Sequence, residues 1–185
     1  MENVIKKILS PKRFEHSMAV AELACEMAEY LGADSEKAYL AGVVHDIAKE
    51  KKTDELLTIC QTAGVELSEV EIKNPALLHA PAGAALLEEY GIDDEEIKNA
   101  VRYHTVARAG MTLLERIIYF ADMTEPSRVY KEVEELRAMW RVDFEKAFLT
   151  ALRYSLIWNL EKGRLVHEGT LRAWNSTLSE RNEHV

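Results

Sequence analysis

The chain has 185 residues, 48% of them hydrophobic, which is enough apolar material for one continuous core. Thirty-two acidic against 23 basic residues leave a formal net charge of −9, which argues against broad electrostatic binding to nucleic acid or to an anionic membrane surface. A small anionic ligand stays compatible, because a local metal or Lys/Arg site opposes the global sign.

Helical periodicity runs along the whole chain, and no alternating strand pattern interrupts it. The opening "MENVIKKILSPKRFEH" lacks the apolar region and cleavage site of a signal peptide. With no apolar run near the roughly 20 residues that span a bilayer, a cytoplasmic location is expected. Ser10 followed by Pro11 predicts an N-cap and a first helical position, opening a long helix that stops near Gly32. Further helices are expected at about 35–48, 53–63, 76–90, 94–104, 112–124, 131–140, 143–162 and 170–180. Asp93 to Glu96 place negative charge at one helix start, and Gly163 closes another helix. Four prolines and eight glycines are scattered, leaving no linker and no repeat. The expected fold class is therefore all-α, a compact single-domain helical bundle over residues 1–185. Cys25 and Cys60 lack CxxC spacing and are expected as free thiols inside helices. Trp140 and Phe144 share a helical spacing and are expected in the core.

Polar groups then interrupt the apolar faces. In "GVVHDIAKE" an apolar run ends in His45 and Asp46, which on a helix point about 100° apart. Either a metal ion over the groove between them or ordinary contacts at a helix end would account for the pair. His104 continues the stripe of Ile97, Ala100 and Val101, so its imidazole points inward. Asp122 shares a stripe with Met111 and Ile118 and has no Lys or Arg three or four residues away. It therefore needs a partner from elsewhere in the fold or exposure at the helix end. His16 lies on the stripe of Val20, Leu23 and Met27, and small residues follow His79. His167 and His184 read as surface residues. Four inward imidazoles and two inward carboxylates on different helices are costly as separate burials and economical as one metal cluster.

In this order, "RFEHSMAVAE", "GVVHDIAKE", "NPALLHAPAGA", "RYHT", "ADMTEPSR" and "EKGRLVHEGTLRAWN" resemble the HD-domain phosphohydrolase superfamily, and within it the YqeK-type symmetrical bis(5′-nucleosyl)-tetraphosphatases. The resemblance runs from about residue 11 to 175. It implies an HD-type bundle and a metal-dependent enzyme that splits diadenosine tetraphosphate into two ADP. It implies iron, as one or two ions, with manganese, nickel or zinc as substitutes. His16, His45, Asp46 and Asp122 match the principal metal ligands, and His79 and His104 match positions lining the phosphate site that would hold a second metal. Lys49, Thr105 and Arg128 match positions near the nucleotide phosphates. Asp46, Lys49, His79 and His104 are the expected catalytic set. Lys49, His79, His104, Thr105 and Arg128 are the expected substrate contacts. The implied partners are a dinucleoside polyphosphate and an ADP- or GDP-like product, with a homodimer left open. A non-hydrolytic nucleotide sensor and a phosphatase of mononucleotides use the same ligands and are the alternatives. One departure stands out: "HTVARAGM" has Val106 and Ala107 where the family commonly has a small polar residue and glycine. Alanine disfavours a positive φ, so a different backbone path is expected there.

Overall fold

The computed structural model describes residues 1–183, with side chains through Arg181; His184 lies outside the described residues. Its helices are α1 (Glu2–Ile8), α2 (Pro11–Leu31), α3 (Ser35–Val44), α4 (Thr53–Thr62), α5 (Glu69–Lys73), α6 (His79–Leu86), α7 (Glu95–Tyr103), α8 (Leu113–Thr124), α9 (Val133–Met139), α10 (Phe144–Glu161) and α11 (Glu168–Glu183). Short 3₁₀ turns at Pro75–Leu77 and Leu87–Tyr90 flank α6, and no strand occurs among the described residues. The all-helical class holds. No helix is long and apolar enough to cross a membrane.

Several expected elements change shape. The helix expected to 48 stops at Val44, and the one expected over 76–90 divides into α6 and its two 3₁₀ flanks. α1 and α5 were not foreseen: they are too short for periodicity to separate them from loops. Ser10 occupies the N-cap of α2, yet its hydroxyl donates to Glu50 Oε1 at 2.5 Å instead of capping its own helix. Asp94 does cap α7, accepting from the amides of Glu96 and Ile97 at 2.9 and 3.2 Å.

The main core surrounds α8, whose Ile117, Ile118, Tyr119, Phe120 and Ala121 are all buried. A helix apolar on nearly every side has to be central, and α8 packs against α2, α3, α7 and α10. α2 presents Ala21, Ala24 and Ala28 to the Ala38, Ala41 and Gly42 of α3, so small residues bring these two axes close together. A second apolar cluster of Ala48, Leu56, Cys60, Leu78, Ala82 and Leu86 fills the space between α4 and α6. Both cysteines are free, and Trp140 and Phe144 are buried as expected, though Trp140 caps the end of α9 while Phe144 opens α10.

His167 corrects the expectation of a surface residue. Its Nδ1 accepts from the Gly169 amide at 2.9 Å, which leaves Nε2 to donate to Ser68 Oγ at 2.9 Å. Beside it the buried Glu71 accepts from Arg102 at 2.6 Å and from the Ser68 amide at 2.8 Å. Burial alone would raise the Glu71 carboxyl, but His167, Arg102 and the Ser68 amide outweigh it and hold it at about 2, below its ordinary 4.5. A depressed carboxyl contributes stability that is fully present above pH 4.5 and is lost as the pH falls toward about 2. Glu71→Gln is therefore expected to cost on the order of 3 kcal/mol at neutral pH. The gap from wild type should shrink at about pH 3. Urea titrations of both proteins at the two pH values measure it, and a gap independent of pH contradicts the assignment.

Candidate metal centre

The six expected ligand and site residues sit mostly at helix ends. His16 lies in the second turn of α2, His45 caps the C-terminus of α3, His79 opens α6, His104 caps the C-terminus of α7, and Asp122 is in the last turn of α8. Asp46 follows in the turn after α3. There the chain winds through i to i+3 bonds: Ile47 to Val44 at 3.0 Å, Lys49 to Asp46 at 2.8 Å and Lys51 to Ala48 at 3.1 Å. This tighter winding, rather than a continued α-helix, carries Lys49 back over the centre. Its ammonium lies 2.9 Å from His79 Nε2 and 3.5 Å from Asp46 Oδ1.

One bonding pattern recurs at all four imidazoles. His45, His79 and His104 each place Nδ1 2.7 Å from the carbonyl oxygen three residues earlier, those of Gly42, Ala76 and Val101. A carbonyl only accepts, so each Nδ1 carries the proton and each Nε2 presents a lone pair. His16 is fixed by a carboxylate instead, with Nδ1 3.0 Å from Glu125 Oε1. Tying one ring nitrogen to a carbonyl or carboxylate is how proteins orient a metal-binding imidazole.

All four Nε2 atoms face a common space with two carboxylates. His16 Nε2 is 3.0 Å and His45 Nε2 3.9 Å from Asp122 Oδ1. His79 and His104 stand 3.2 and 3.6 Å from Asp46 Oδ1, and their Nε2 atoms are 3.2 Å apart. Two triplets offer donor atoms within 4.8 Å of one another: His16, His45 and Asp122, and His45, Asp46 and His104.

The charge states reinforce the geometry. Burial pushes the His45 imidazole down to about 4 despite Asp46 and Asp122, so it is neutral at physiological pH. Burial also lowers His79, whereas at His16 the bond to Asp122 outweighs burial and raises the imidazole. Burial works against ionising Asp46 and Asp122, yet the imidazoles with Lys49 or Arg128 hold both below the ordinary carboxylate range. Neutral imidazoles facing carboxylates are acceptors facing acceptors. His45 Nε2 and Asp46 Oδ1 are buried without a hydrogen-bond partner, and buried polar atoms of that kind need a partner. A nitrogen and carboxylate donor set of this size suits a divalent ion such as iron, manganese, nickel or zinc.

The structure gathers every expected site residue around this space. Arg128, six residues beyond Asp122, supplies the partner Asp122 lacked on its own helix: its NH2 is held on Asp122 Oδ1 and lies 3.4 Å from His16 Nε2. Thr105 lines the adjoining cleft, with a buried hydroxyl that has no partner. Ala107 takes the positive φ that its side chain disfavours: φ is 59°, the left-handed conformation that glycine adopts freely. The Gly169 Cα packs where a Cβ would come within 2.6 Å of the Ala107 carbonyl, and Thr170 Oγ1 donates to Val106 O at 2.7 Å. The turn that opens α11 thus clamps this loop into the strained form.

Two residues escaped sequence reasoning. Glu125 is fully buried and binds His16 Nδ1 and the amide and hydroxyl of Ser127, at 2.6 and 2.5 Å. Its position three after Asp122, just before Pro126, was the available clue. Arg13, one turn before His16 on the same face, reaches Asp46 Oδ2 at 3.5 Å.

A model of the HD domain matches residues 13–127, the span from Arg13 to just past Glu125. A protein of Bacillus subtilis called symmetrical bis(5′-nucleosyl)-tetraphosphatase is 37% identical over 95% of this chain and 94% of its own length. One of the same name from Staphylococcus aureus is 33% identical over 94% of this chain and 91% of its own. A crystal structure from Clostridium acetobutylicum, described as a predicted HD superfamily hydrolase involved in NAD metabolism, superposes with a TM-score of 0.93 at 39% identity, covering 97% of this chain and 95% of that one. The chain belongs to the HD domain family and, within it, to the group whose relatives bear the name symmetrical bis(5′-nucleosyl)-tetraphosphatase.

Proposed function

We propose that this protein is a metal-dependent hydrolase that cleaves diadenosine tetraphosphate symmetrically, adding water to a phosphoanhydride and releasing two ADP. The observation that carries the reading is the convergence of four oriented Nε2 atoms on Asp46 and Asp122. His16, His45, Asp46 and Asp122 would hold the principal ion, which we assign as iron, and His104, with His79 beside it, would serve a second. When bound, the metal supplies acidification of the attacking water and polarisation of the phosphoryl oxygens.

The remaining work falls to the chain's own groups. Lys49 and Arg128 bring positive charge to the rim of the centre, where the leaving diphosphate gains negative charge. His79, with Nδ1 committed to Ala76 O, has only Nε2 free to take or give a proton, and Lys49 sits 2.9 Å from that atom. Thr105 lines the cleft, and its buried hydroxyl has no partner in the protein. Asp46 spans His79 and His104 with Oδ1 and faces Arg13 with Oδ2, so one carboxylate fixes the spacing of the inner half of the site.

The test is to load the purified protein with iron under reducing conditions, supply diadenosine tetraphosphate and resolve the products by anion exchange. ADP as sole product is expected; AMP with ATP rejects symmetrical cleavage, and tight binding without turnover makes the protein a sensor. Lys49→Ala is expected to keep its metal by elemental analysis while kcat falls about 10²-fold. Loss of metal together with activity would reassign Lys49 to holding the centre together.

A further inference from the structure

The four imidazoles form a row, His16, His45, His104 and His79, with successive ring centroids 5.2, 5.1 and 5.1 Å apart. One cleft opens beside His16 at one end of it and another beside His104, one ring short of the other end. At the His16 end a cavity of about 690 Å³ is lined by Lys12, Arg13, Arg128 and Tyr130. Beside His104 a cavity of about 610 Å³ is lined by Lys49, Thr105, Tyr154, Trp158 and the same Tyr130. Each falls within the range of about 300–1,000 Å³ typical of small-ligand sites. Their chemistry differs. The His104 cleft offers flat aromatic surface, with Trp158 48% exposed, on which a base stacks. The His16 cleft gathers three cations at one mouth in a chain of net charge −9. Arg13 and Arg128 lean on Asp46 and Asp122 there, whereas Lys12 stays exposed. Two acidic residues line it as well: Glu125, already committed to His16 and Ser127, and the exposed Glu15, so three cations face one uncommitted carboxylate.

Building on the hydrolase reading above, we infer that the Lys12, Arg13 and Arg128 cleft holds the second nucleoside diphosphate half of the substrate, while the aromatic cleft holds the first. A dinucleoside tetraphosphate then lies along the imidazole row, anchored at both ends, with its central bridging oxygen over the middle of the row. Water adds to one phosphorus flanking that oxygen, the bond from this phosphorus to the bridge breaks, and the oxygen leaves on the ADP in the opposite cleft; the proton released goes to solvent. Two anchors set the register of cleavage without any contact that counts phosphates.

The experiment is equilibrium dialysis of labelled ADP against the iron-loaded protein, at a concentration that just saturates the wild type. Two ADP per chain are expected. Lys12→Glu should bind one, and its KM for diadenosine tetraphosphate should rise about tenfold. Lys12 lies in the first turn of α2, where a carboxylate favours the helix dipole, so circular dichroism should show the fold unchanged. Trp158→Ala should remove the other ADP. One ADP per chain in the wild type, or two in Lys12→Glu, overturns the inference and leaves the hydrolase reading standing. Two ADP bound by a protein that does not cleave the tetraphosphate removes the hydrolase reading instead.

Discussion

Asp46→Ala is expected to abolish metal retention and to lower kcat/KM at least about 10³-fold, equivalent to about 4 kcal/mol of transition-state stabilisation. The size follows from how many groups one carboxylate serves. Asp46 Oδ1 lies 3.2 Å from His79, 3.6 Å from His104 and 3.5 Å from Lys49, while Oδ2 lies 3.7 Å from His45 and 3.5 Å from Arg13. Removing it leaves two cations and three imidazoles crowded together without their anion. Asp46→Asn is the sharper variant, since it preserves shape and removes only charge; it should lose metal nearly as completely. Elemental analysis and steady-state kinetics on both variants test this. Full metal stoichiometry in Asp46→Ala would end its assignment as a ligand.

Gly42→Ala is expected to destabilise the protein by about 3 kcal/mol and to lower Tm by about 10 °C. An added Cβ would come within 2.5 Å of Ala21 Cα and 2.8 Å of Ala21 N. Backbone atoms cannot swing aside as a flexible side chain would, so α2 and α3 have to separate. Those two helices carry His16 and His45, whose rings stand 5.2 Å apart, and the Gly42 carbonyl itself orients the His45 imidazole. Activity should therefore fall alongside stability, even though residue 42 touches no substrate. Thermal melts and the product assay together measure it; an unchanged Tm would show that the close approach of α2 and α3 has slack. Gly83 is a useful contrast. Its Cβ would meet only side chains, the nearest Ile47 Cγ2 at 3.3 Å, so Gly83→Ala should be mild.

Much of the site was legible because burial of polar side chains leaves a periodic trace. His16 on the Val20 stripe, His104 on the Ile97 stripe and Asp122 on the Ile118 stripe each broke an apolar face at helical spacing. Lys49 left no such trace: it reaches the centre through the i to i+3 turns that follow α3, which helical period does not reveal. His167 was misread because a histidine beside a glycine in a polar stretch resembles a loop, while its partners Ser68 and Glu71 lie about a hundred residues earlier. Ala107 was expected to avoid the left-handed region, yet packing by Gly169 and the bond from Thr170 hold it there.

The sequence alone determined the all-helical class, the inward-facing imidazoles and carboxylates, and their resemblance to HD hydrolases, because helical period and residue type are local properties. Only the tertiary structure decided that these groups share one centre, that Glu125 and Arg13 belong to it, that Arg128 neutralises Asp122, and that two chemically different clefts flank the imidazole row. The reason is physical: periodicity fixes which face of a helix leaves water, but the atoms that face it come from other helices, and their approach is set by packing such as that of Gly42 on Ala21.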